Sequence, residues 1–248
     1  MTTSWTNLPV MGFDTETTGR NPLQARLVTC SLVIENASGD VEKYYWLANP
    51  EVDIPEEASA IHGISTQYAR ENGHDIVEVL TEISDLIFSF LSQGYPVVAY
   101  NAGYDLTLLE SELARHNLPT LRERLGRDIS PVIDPYFLDR WGDKYRKGSS
   151  GKRKLADLVD LYGCTTSDNF HNAEEDVLAT LRLLKAMTVS ERLTREIERI
   201  YGIPGGLGAM SLEELHNAAA EAHHGLVTFL RKKMPGHVTE SDTWPIYE

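Results

Sequence analysis

Residues 9–19 read PVMGFDTETTG, in which a short apolar run meets Asp14 and a second carboxylate, Glu16, follows two positions later. The apolar run predicts a buried strand, and side chains two positions apart leave a strand on the same side. Two carboxylates at a buried strand end repel each other and lower stability unless a cation neutralises them. The pair therefore favours a divalent-metal site, although acidic residues are also ordinary at an exposed strand end.

The segments that follow predict a mixed sheet. Residues 26–35 and 41–48 are rich in β-branched and aromatic residues, and the turn signal NASGD lies between them, so they predict a hairpin that extends the first strand into an antiparallel meander. Two further short apolar strands are predicted at 95–100 and 132–134. Helical periodicity marks 75–92, a helix beginning near Tyr104, 155–161 and 173–187. This order predicts an α/β fold with a mixed five-stranded sheet flanked by helices.

The last quarter of the chain is helical only. From about Val189 the pattern shows helical periodicity, with a break at 203–206 (IPGG) and a further helix at 212–232. Residues 235–248 predict an extended tail. We expect this part to pack on the core domain as an extension, with a separate small helical unit as the alternative.

Composition restricts the class of protein. Of the 248 residues, 42% are hydrophobic and 24% are charged, which predicts a packed core. No run of about 18 apolar residues indicates a membrane span, and no basic-then-apolar start indicates a secretion signal. Cys30 and Cys164 form neither a metal motif nor a disulfide framework. These features predict a cytoplasmic, intracellular protein that does not enter a membrane.

The charge is unevenly distributed. A net charge of −14 argues against a broad basic surface that coats nucleic acid. Residues 144–154, however, read KYRKGSSGKRK, with six basic residues and no acidic one. This segment predicts a loop that either steers a nucleic-acid strand toward the carboxylates or remains a solvated charged loop; both interpretations stay open.

Two further acidic positions follow predicted strands or begin helices. Asp105 follows the strand at 95–100, where open α/β sheets place their sites, but an aspartate in a first helical turn also suits the helix dipole. His171 and Asp176 precede and begin the helix at 173–187. Asp176 could hold a metal and His171 could transfer protons, whereas a solvated histidine and an acidic first turn are the simpler interpretation of each alone.

Taken together, these residues resemble the three ordered motifs of the DEDDh exonucleases, the group that includes the epsilon proofreading subunit of bacterial DNA polymerases, RNase T and oligoribonuclease. The first motif resembles FDTETTG at 13–19, the second NAGYD at 101–105, and the third HNAEED at 171–176. A further stretch, IHGIS at 61–65, resembles a segment that the family has between its first two motifs. The resemblance spans about residues 10–187.

Two positions refine the resemblance. Tyr100 stands where many family members have histidine, which leaves the metal ligands intact and puts a neighbouring contact in doubt. Position 172 is Asn rather than the Tyr that the alternative subgroup requires. The resemblance implies a ribonuclease H-like exonuclease domain at 1–188, followed by the helical C-terminal extension and tail at 189–248.

The resemblance also implies roles for individual residues. Asp14, Glu16 and Asp176 would hold a first Mg²⁺ or Mn²⁺, with Asp14 bridging to a second ion that Asp105 supports through water. His171 would be the general base. The positions implied to touch the terminal nucleotide are Thr17, Thr18, His62 and Asn101. Two such ions activate water and stabilise the leaving 3′ oxygen, which is the chemistry of phosphodiester hydrolysis.

The sequence restricts the identity of the substrate and of the partners less than it restricts the reaction. We expect 3′→5′ hydrolysis of single-stranded or frayed DNA in proofreading or trimming, with release of nucleoside 5′-monophosphates. RNA 3′-end trimming and a non-catalytic polymerase-associated role are the alternatives. Apolar residues of the extension, such as Phe229 and Trp244, could bind a polymerase or replication partner, or pack on the domain itself.

Overall fold

The computed structural model of the chain describes residues 4–147, 151–164, 173–234 and 241–248. The strands within these ranges are β1 (Val10–Thr17), β2 (Leu27–Glu35), β3 (Val41–Leu47), β4 (Val97–Val98) and β5 (Val132–Ile133). The helices are α1 (Glu56–His62), α2 (Thr66–Asn72), α3 (Ile76–Ser92), α4 (Ala102–Arg115), α5 (Leu121–Leu125), α6 (Pro135–Gly142), α7 (Leu155–Leu161), α8 (Ala173–Thr188), α9 (Glu191–Tyr201) and α10 (Leu212–Lys233).

The five strands form one sheet in the order β3-β2-β1-β4-β5. β2 is antiparallel to both β1 and β3, whereas β4 runs parallel to β1 and β5 runs parallel to β4. The predicted meander and the mixed five-stranded sheet are therefore confirmed. The carboxyl ends of β1, β4 and β5 lie along the same edge, because the three strands are parallel to one another.

Side chains along β1 alternate between a face that packs on α3 and α4 and a face that packs on α8. Met11 and Phe13 are buried in a hydrophobic cluster that includes the apolar faces of α3 and α4. Gly12 lies on the opposite face, against α8: a Cβ there would meet Val177 Cγ1 at 2.4 Å. Real Cβ atoms essentially never approach that closely, so glycine is what allows α8 to lie directly on β1.

α4 is held to the sheet by a buried ion-pair cluster. The Glu112 side chain is 1% exposed, accepts a hydrogen bond from the backbone N–H of Leu27 at 3.2 Å, and pairs with Arg26 and Arg115. Because a buried carboxylate is costly to leave unpaired, these contacts fix the helix against the start of β2.

Four short helices have no counterpart in the sequence periodicity: α1, α2, α5 and α6. Each has five to eight residues, a short window in which a helical period is hard to recognise, although α7 is equally short and was predicted. By contrast, α7 has the predicted bounds, and the predicted ends of α3, α8 and α10 agree with the structure to within one residue.

The C-terminal helices pack on the rest of the chain. α9 and α10 contribute Leu193, Ile197 and Leu215 to a buried cluster that also contains Phe137 of α6 and Val177 of α8. α10 lies along α6 and β5.

Residues 241–248 return to the sheet domain. Ile246 is 7% exposed within the cluster beneath α3 and α4, and Trp244 packs against both clusters. The backbone N–H of Tyr247 donates to Thr107 Oγ1 of α4 at 2.8 Å. Trp244 therefore packs on its own domain, whereas Phe229 is 55% exposed. No described helix has the length and apolar character needed to cross a membrane.

Candidate active site

The carboxyl end of β1 carries the first two carboxylates. Asp14 and Glu16 leave the strand on the face that α8 covers, because β side chains alternate with a period of two. Both are partly buried, and the strand extends to Thr17, beyond the predicted apolar run.

α8 brings the third carboxylate to this strand end. Asp176 precedes Val177, the residue that packs on Gly12. Asp14, Glu16 and Asp176 each offer a carboxylate oxygen, and these three oxygens lie within 4.8 Å of one another. Of the other acidic residues in the first turn of α8, Glu174 pairs instead with Lys43 of β3 at 2.7 Å. Close packing of α8 on Gly12 thus places Asp176 beside Asp14 and Glu16, although the two segments are far apart in sequence.

Asp105 approaches the same strand from the other side. It lies in the first turn of α4 and is 4% exposed. Its Oδ1 accepts hydrogen bonds from the Thr15 backbone N–H at 3.1 Å and from Thr15 Oγ1 at 2.6 Å. Among the described residues, Asp105 is not part of the group of three, but its charge acts on both Asp14 and Glu16. Thr15 therefore fixes a fourth carboxylate beside the cluster.

Burial is the largest cause that raises the pKa of the three carboxyls on β1 and α4. Burial raises the pKa of Asp14 well above its ordinary value, and the neighbouring carboxylates raise it further. Burial, with the charges of Asp176 and Asp105, raises the pKa of Glu16 to about 7. Burial also raises the pKa of Asp105 to about 7, although its hydrogen bonds from Thr15 act in the opposite direction. Hard oxygen ligands whose ionisation is unfavourable without a cation fit a divalent metal such as Mg²⁺ or Mn²⁺.

This electrostatic arrangement predicts how metal-free stability depends on pH. A carboxyl whose folded pKa is raised contributes stability that is fully present below its unfolded pKa of about 4 and is lost as the pH rises through its folded pKa of about 7. The free energy of unfolding in EDTA should therefore fall between about pH 5 and about pH 8. Because metal binding requires ionised carboxylates, added Mn²⁺ should raise the melting temperature more at about pH 8 than at about pH 5.

Glu16→Gln is the matched control for this prediction. The amide keeps the shape of the side chain but does not ionise, so the fall in stability with pH should be shallower in this variant than in the wild type. Thermal unfolding in EDTA and in Mn²⁺ measures both effects. Equal metal-induced shifts at the two pH values would contradict the assignment of the cluster as a metal site.

The predicted substrate-binding residues surround this strand end. Thr17 Oγ1 donates to the Gly19 carbonyl at 2.8 Å and lies 2.6 Å from the Tyr104 hydroxyl. Thr18 Oγ1 accepts from the Arg26 backbone N–H at 2.9 Å, which orders the chain between β1 and β2. Both hydroxyls therefore shape the loop that follows the carboxylates.

The other two predicted substrate-binding residues, His62 and Asn101, lie at the ends of helices. His62 ends α1, its Nδ1 accepts from the Ile64 N–H at 3.2 Å, and burial lowers its pKa while the Thr17 backbone acts against that change. Asn101 is exposed and precedes α4 with a left-handed backbone, φ 62°. His171, the predicted general base, lies outside the described residues.

Two residues near the site were not predicted from the sequence. Asp134 is completely buried, and its carboxylate accepts from the backbone N–H groups of Asn101 at 3.1 Å and Ala102 at 2.8 Å. It also caps α6 through Tyr136 N–H at 3.0 Å. Asp134 thus ties the start of α4, which carries Asp105, to the end of β5. An aspartate directly before a proline at the end of a strand is an N-cap signal that could have identified it.

Tyr104 is the second of these residues, and Tyr100 explains a departure from the family pattern. The Tyr104 hydroxyl contacts the Gly19 carbonyl as well as Thr17, which joins α4 to the loop after β1. The Tyr100 hydroxyl donates to the Arg153 carbonyl at 2.6 Å, and its ring packs edge-on against Tyr136. The side chain at position 100 therefore anchors the basic segment.

The basic segment is partly structural. The side chains of Arg146 and Arg153 are only 6% and 8% exposed, and both bind the fully buried Asp139, at 2.5 and 2.7 Å. The interpretation in which all six basic residues steer a strand does not hold for these two, because their side chains are buried in ion pairs with Asp139. Lys144, Lys152 and Lys154 are exposed.

Comparison with known proteins assigns the chain to a family. A model of the RNase_T exonuclease family matches residues 11–184. DNA polymerase III subunit epsilon of Rickettsia conorii is 31% identical over 159 residues, which cover 59% of this chain and 66% of that protein. DNA polymerase III PolC-type of Streptococcus thermophilus is 27% identical over 173 residues, 69% of this chain but only 10% of that protein.

A solved structure confirms the fold. Exonuclease I of E. coli in complex with a dA16 oligonucleotide has a TM-score of 0.60 and 18% sequence identity, and the match covers 79% of this chain and 43% of that one. The chain thus spans less than half of that exonuclease and about a tenth of the PolC-type polymerases. The predicted ribonuclease H-like sheet with flanking helices is confirmed. On its sequence match, its carboxylate cluster and its fold, the chain belongs to the RNase_T exonuclease family.

Proposed function

We propose that the chain is a metal-dependent 3′→5′ exonuclease that removes nucleoside 5′-monophosphates from single-stranded or frayed DNA ends. The observation that carries the proposal is the convergence of three carboxylate oxygens within 4.8 Å, from β1 and α8, at the edge of the sheet. Carboxylates that lie this close to one another repel and lower stability unless a cation is bound between them, so their convergence favours a metal site.

The carboxylates divide into holding and supporting groups. Asp14, Glu16 and Asp176 would hold a divalent cation, and Asp105, kept in place by Thr15, would support a second. Two Mg²⁺ or Mn²⁺ ions bound there would activate water and stabilise the leaving oxygen. The family match and the resemblance of the third motif support His171 as the group that accepts the proton from water, since an imidazole that titrates near neutral pH suits this role.

The loop after β1 would receive the 3′ end. Thr17, Gly19 and Tyr104 tie this loop to α4, so the terminal nucleotide would meet a fixed surface directly beside the carboxylates. Asn101 is exposed at the same edge and has its side chain available for a nucleotide. A surface that is preorganised in this way orients the scissile bond, which accounts for part of the rate enhancement of a hydrolase.

The names of the relatives favour DNA over RNA as the substrate. The epsilon protein is named as a DNA polymerase subunit, the PolC-type protein is named as a DNA polymerase, and exonuclease I is seen with a DNA oligonucleotide. We infer that this chain also acts on DNA ends, as a proofreading or trimming nuclease. A replication partner that binds through the C-terminal extension stays a prediction.

A side-by-side digestion tests the proposal. The substrates are 5′-labelled single-stranded DNA, duplex DNA with a mismatched 3′ end, and RNA of the same sequence, each with Mg²⁺, Mn²⁺ or EDTA. We expect a ladder that shortens from the 3′ end, faster on the two DNA substrates than on RNA, and no cleavage in EDTA. Discrimination against RNA would depend on contacts to the 2′-hydroxyl. Cleavage that persists in EDTA, or internal fragments without a ladder, would refute the mechanism.

A further inference from the structure

A cleft of about 720 Å³ opens beside the connection that follows β1 and the first turn of α4. One wall is the connection after β1 together with the start of α4, and the other is formed by α6, α10 and the tail at 241–248. This volume falls within the range of about 300–1,000 Å³ that is typical of ligand sites. Much of the second wall comes from residues beyond 184, where the match to the exonuclease family ends.

The cleft borders the candidate active site at Tyr104. This residue lines the cleft, and its hydroxyl contacts Thr17 and the Gly19 carbonyl in the loop that follows the carboxylates. Asp105 is its neighbour in α4. A strand whose 3′ end lies at the carboxylates can therefore continue into this cleft with its preceding nucleotides.

The charge of the cleft suits a phosphate backbone. Arg20 is exposed on one wall, and Arg140 lies on the other with its guanidinium 5.7 Å from the centre of the Tyr136 ring. Among the described residues, neither arginine forms an ion pair. The acidic side chain among the described lining residues belongs to Glu248, which is paired with Arg122 at 2.8 Å. In a chain of net charge −14, two arginines without acidic partners make this cleft a locally positive surface.

Aromatic rings line the same cleft. Tyr136 is partly exposed at the start of α6. The ring of Tyr247 lies directly over Gly103, where a Cβ would meet the tyrosine hydroxyl at 2.5 Å, and stacks against His223 of α10 with 5.6 Å between ring centres. Aromatic and cationic groups in one groove are the features by which proteins hold single strands without reading their sequence.

We propose that this cleft binds the nucleotides on the 5′ side of the scissile bond, with Arg20 and Arg140 against the phosphates and Tyr136 and Tyr247 against the bases. The inference rests on the proposed exonuclease function and adds to it a binding site for several nucleotides before the scissile bond. The C-terminal tail then has a role in substrate binding, because it supplies Tyr247.

Substrate length tests the proposal. We expect the wild type to have a lower KM for a 5′-labelled dT dodecamer than for a dT dinucleotide, since the dinucleotide is too short to fill the cleft. In R20A/R140A the KM for the dinucleotide divided by the KM for the dodecamer should fall about tenfold. The slope of log KM against log salt for the dodecamer should flatten by about 1.4, because two phosphate contacts are lost. R195A/R199A, which removes the same charge from exposed positions of α9, is the matched control and should keep the wild-type ratio.

The outcomes separate the two proposals. If the wild type degrades neither oligonucleotide, the exonuclease function itself fails. If it degrades both and the KM ratio is the same in the wild type and in R20A/R140A, only the assignment of the cleft is overturned. Arg20 is exposed, so R20A alone provides a folded variant even if Arg140 proves important for packing, and its ratio should fall in the same direction.

Discussion

Asp14→Asn is expected to lower the rate of 3′-end hydrolysis by more than about 10³-fold while leaving the protein folded. Loss of one fixed group that stabilises a developing charge already costs about 10²–10³-fold. Asp14 contributes more than one such interaction, because its oxygen belongs to the group shared with Glu16 and Asp176 and its charge is repelled by that of Asp105. The asparagine retains the size of the side chain but removes the ionised ligand.

The stability of Asp14→Asn shows whether a loss of activity comes from the metal site or from unfolding. In the wild type without metal, burial raises the pKa of the partly buried Asp14 carboxyl, and the neighbouring like charges raise it further. Removing its charge relieves that repulsion, so Asp14→Asn in EDTA at about pH 8 should be at least as stable as the wild type. Its melting temperature should also respond less to Mn²⁺ than that of the wild type.

Single-turnover digestion of a 5′-labelled oligonucleotide measures the rate, and thermal unfolding measures the stability. Asp160→Asn, an exposed aspartate on α7, is the matched control and should keep the wild-type rate. A variant at position 14 that cleaves at the wild-type rate would show that the cluster is not the catalytic centre.

The first half of the site could be predicted from the sequence because it is local. An apolar run followed by Asp14 and Glu16 fixes both the strand and the side that its carboxylates share, through the period of two. The position of Asp176 beside these two residues depends on tertiary packing, because α8 lies on β1 only where Gly12 leaves room for Val177. Sequence periodicity marks the helix but does not show which strand it covers, so the ordered motifs of the family supplied that link.

Features that depend on tertiary partners were not predicted. The segment at 144–154 has the composition of a solvated loop, yet Arg146 and Arg153 are buried because Asp139 of α6 receives them. Nothing local to the segment indicates that partner, and α6 itself was not predicted from the sequence. The tail at 241–248 reads as extended in sequence, and the structure shows that the neighbouring surface of α4 and α10 holds it through Thr107 and His223.

Asp139→Ala is expected to lower the free energy of unfolding by about 3–5 kcal/mol, the cost of breaking a buried ion pair from one side. The Asp139 carboxylate is completely buried and binds Arg146 at 2.5 and 2.8 Å, Arg153 at 2.7 Å and the Tyr162 hydroxyl at 2.7 Å. Alanine would leave two guanidinium groups in a site that water does not reach freely.

The experiment compares urea unfolding of the wild type, Asp139→Ala and Asp160→Ala. The exposed Asp160 should change stability by less than about 0.5 kcal/mol, as ordinary surface substitutions do. The loss at Asp139 should persist in high salt, because ions do not screen a buried pair effectively. If Asp139→Ala lowers the free energy of unfolding by less than about 1 kcal/mol, or if high salt abolishes the difference, the two arginines are solvated. The interpretation of the whole basic segment as a mobile, strand-steering loop would then be open again.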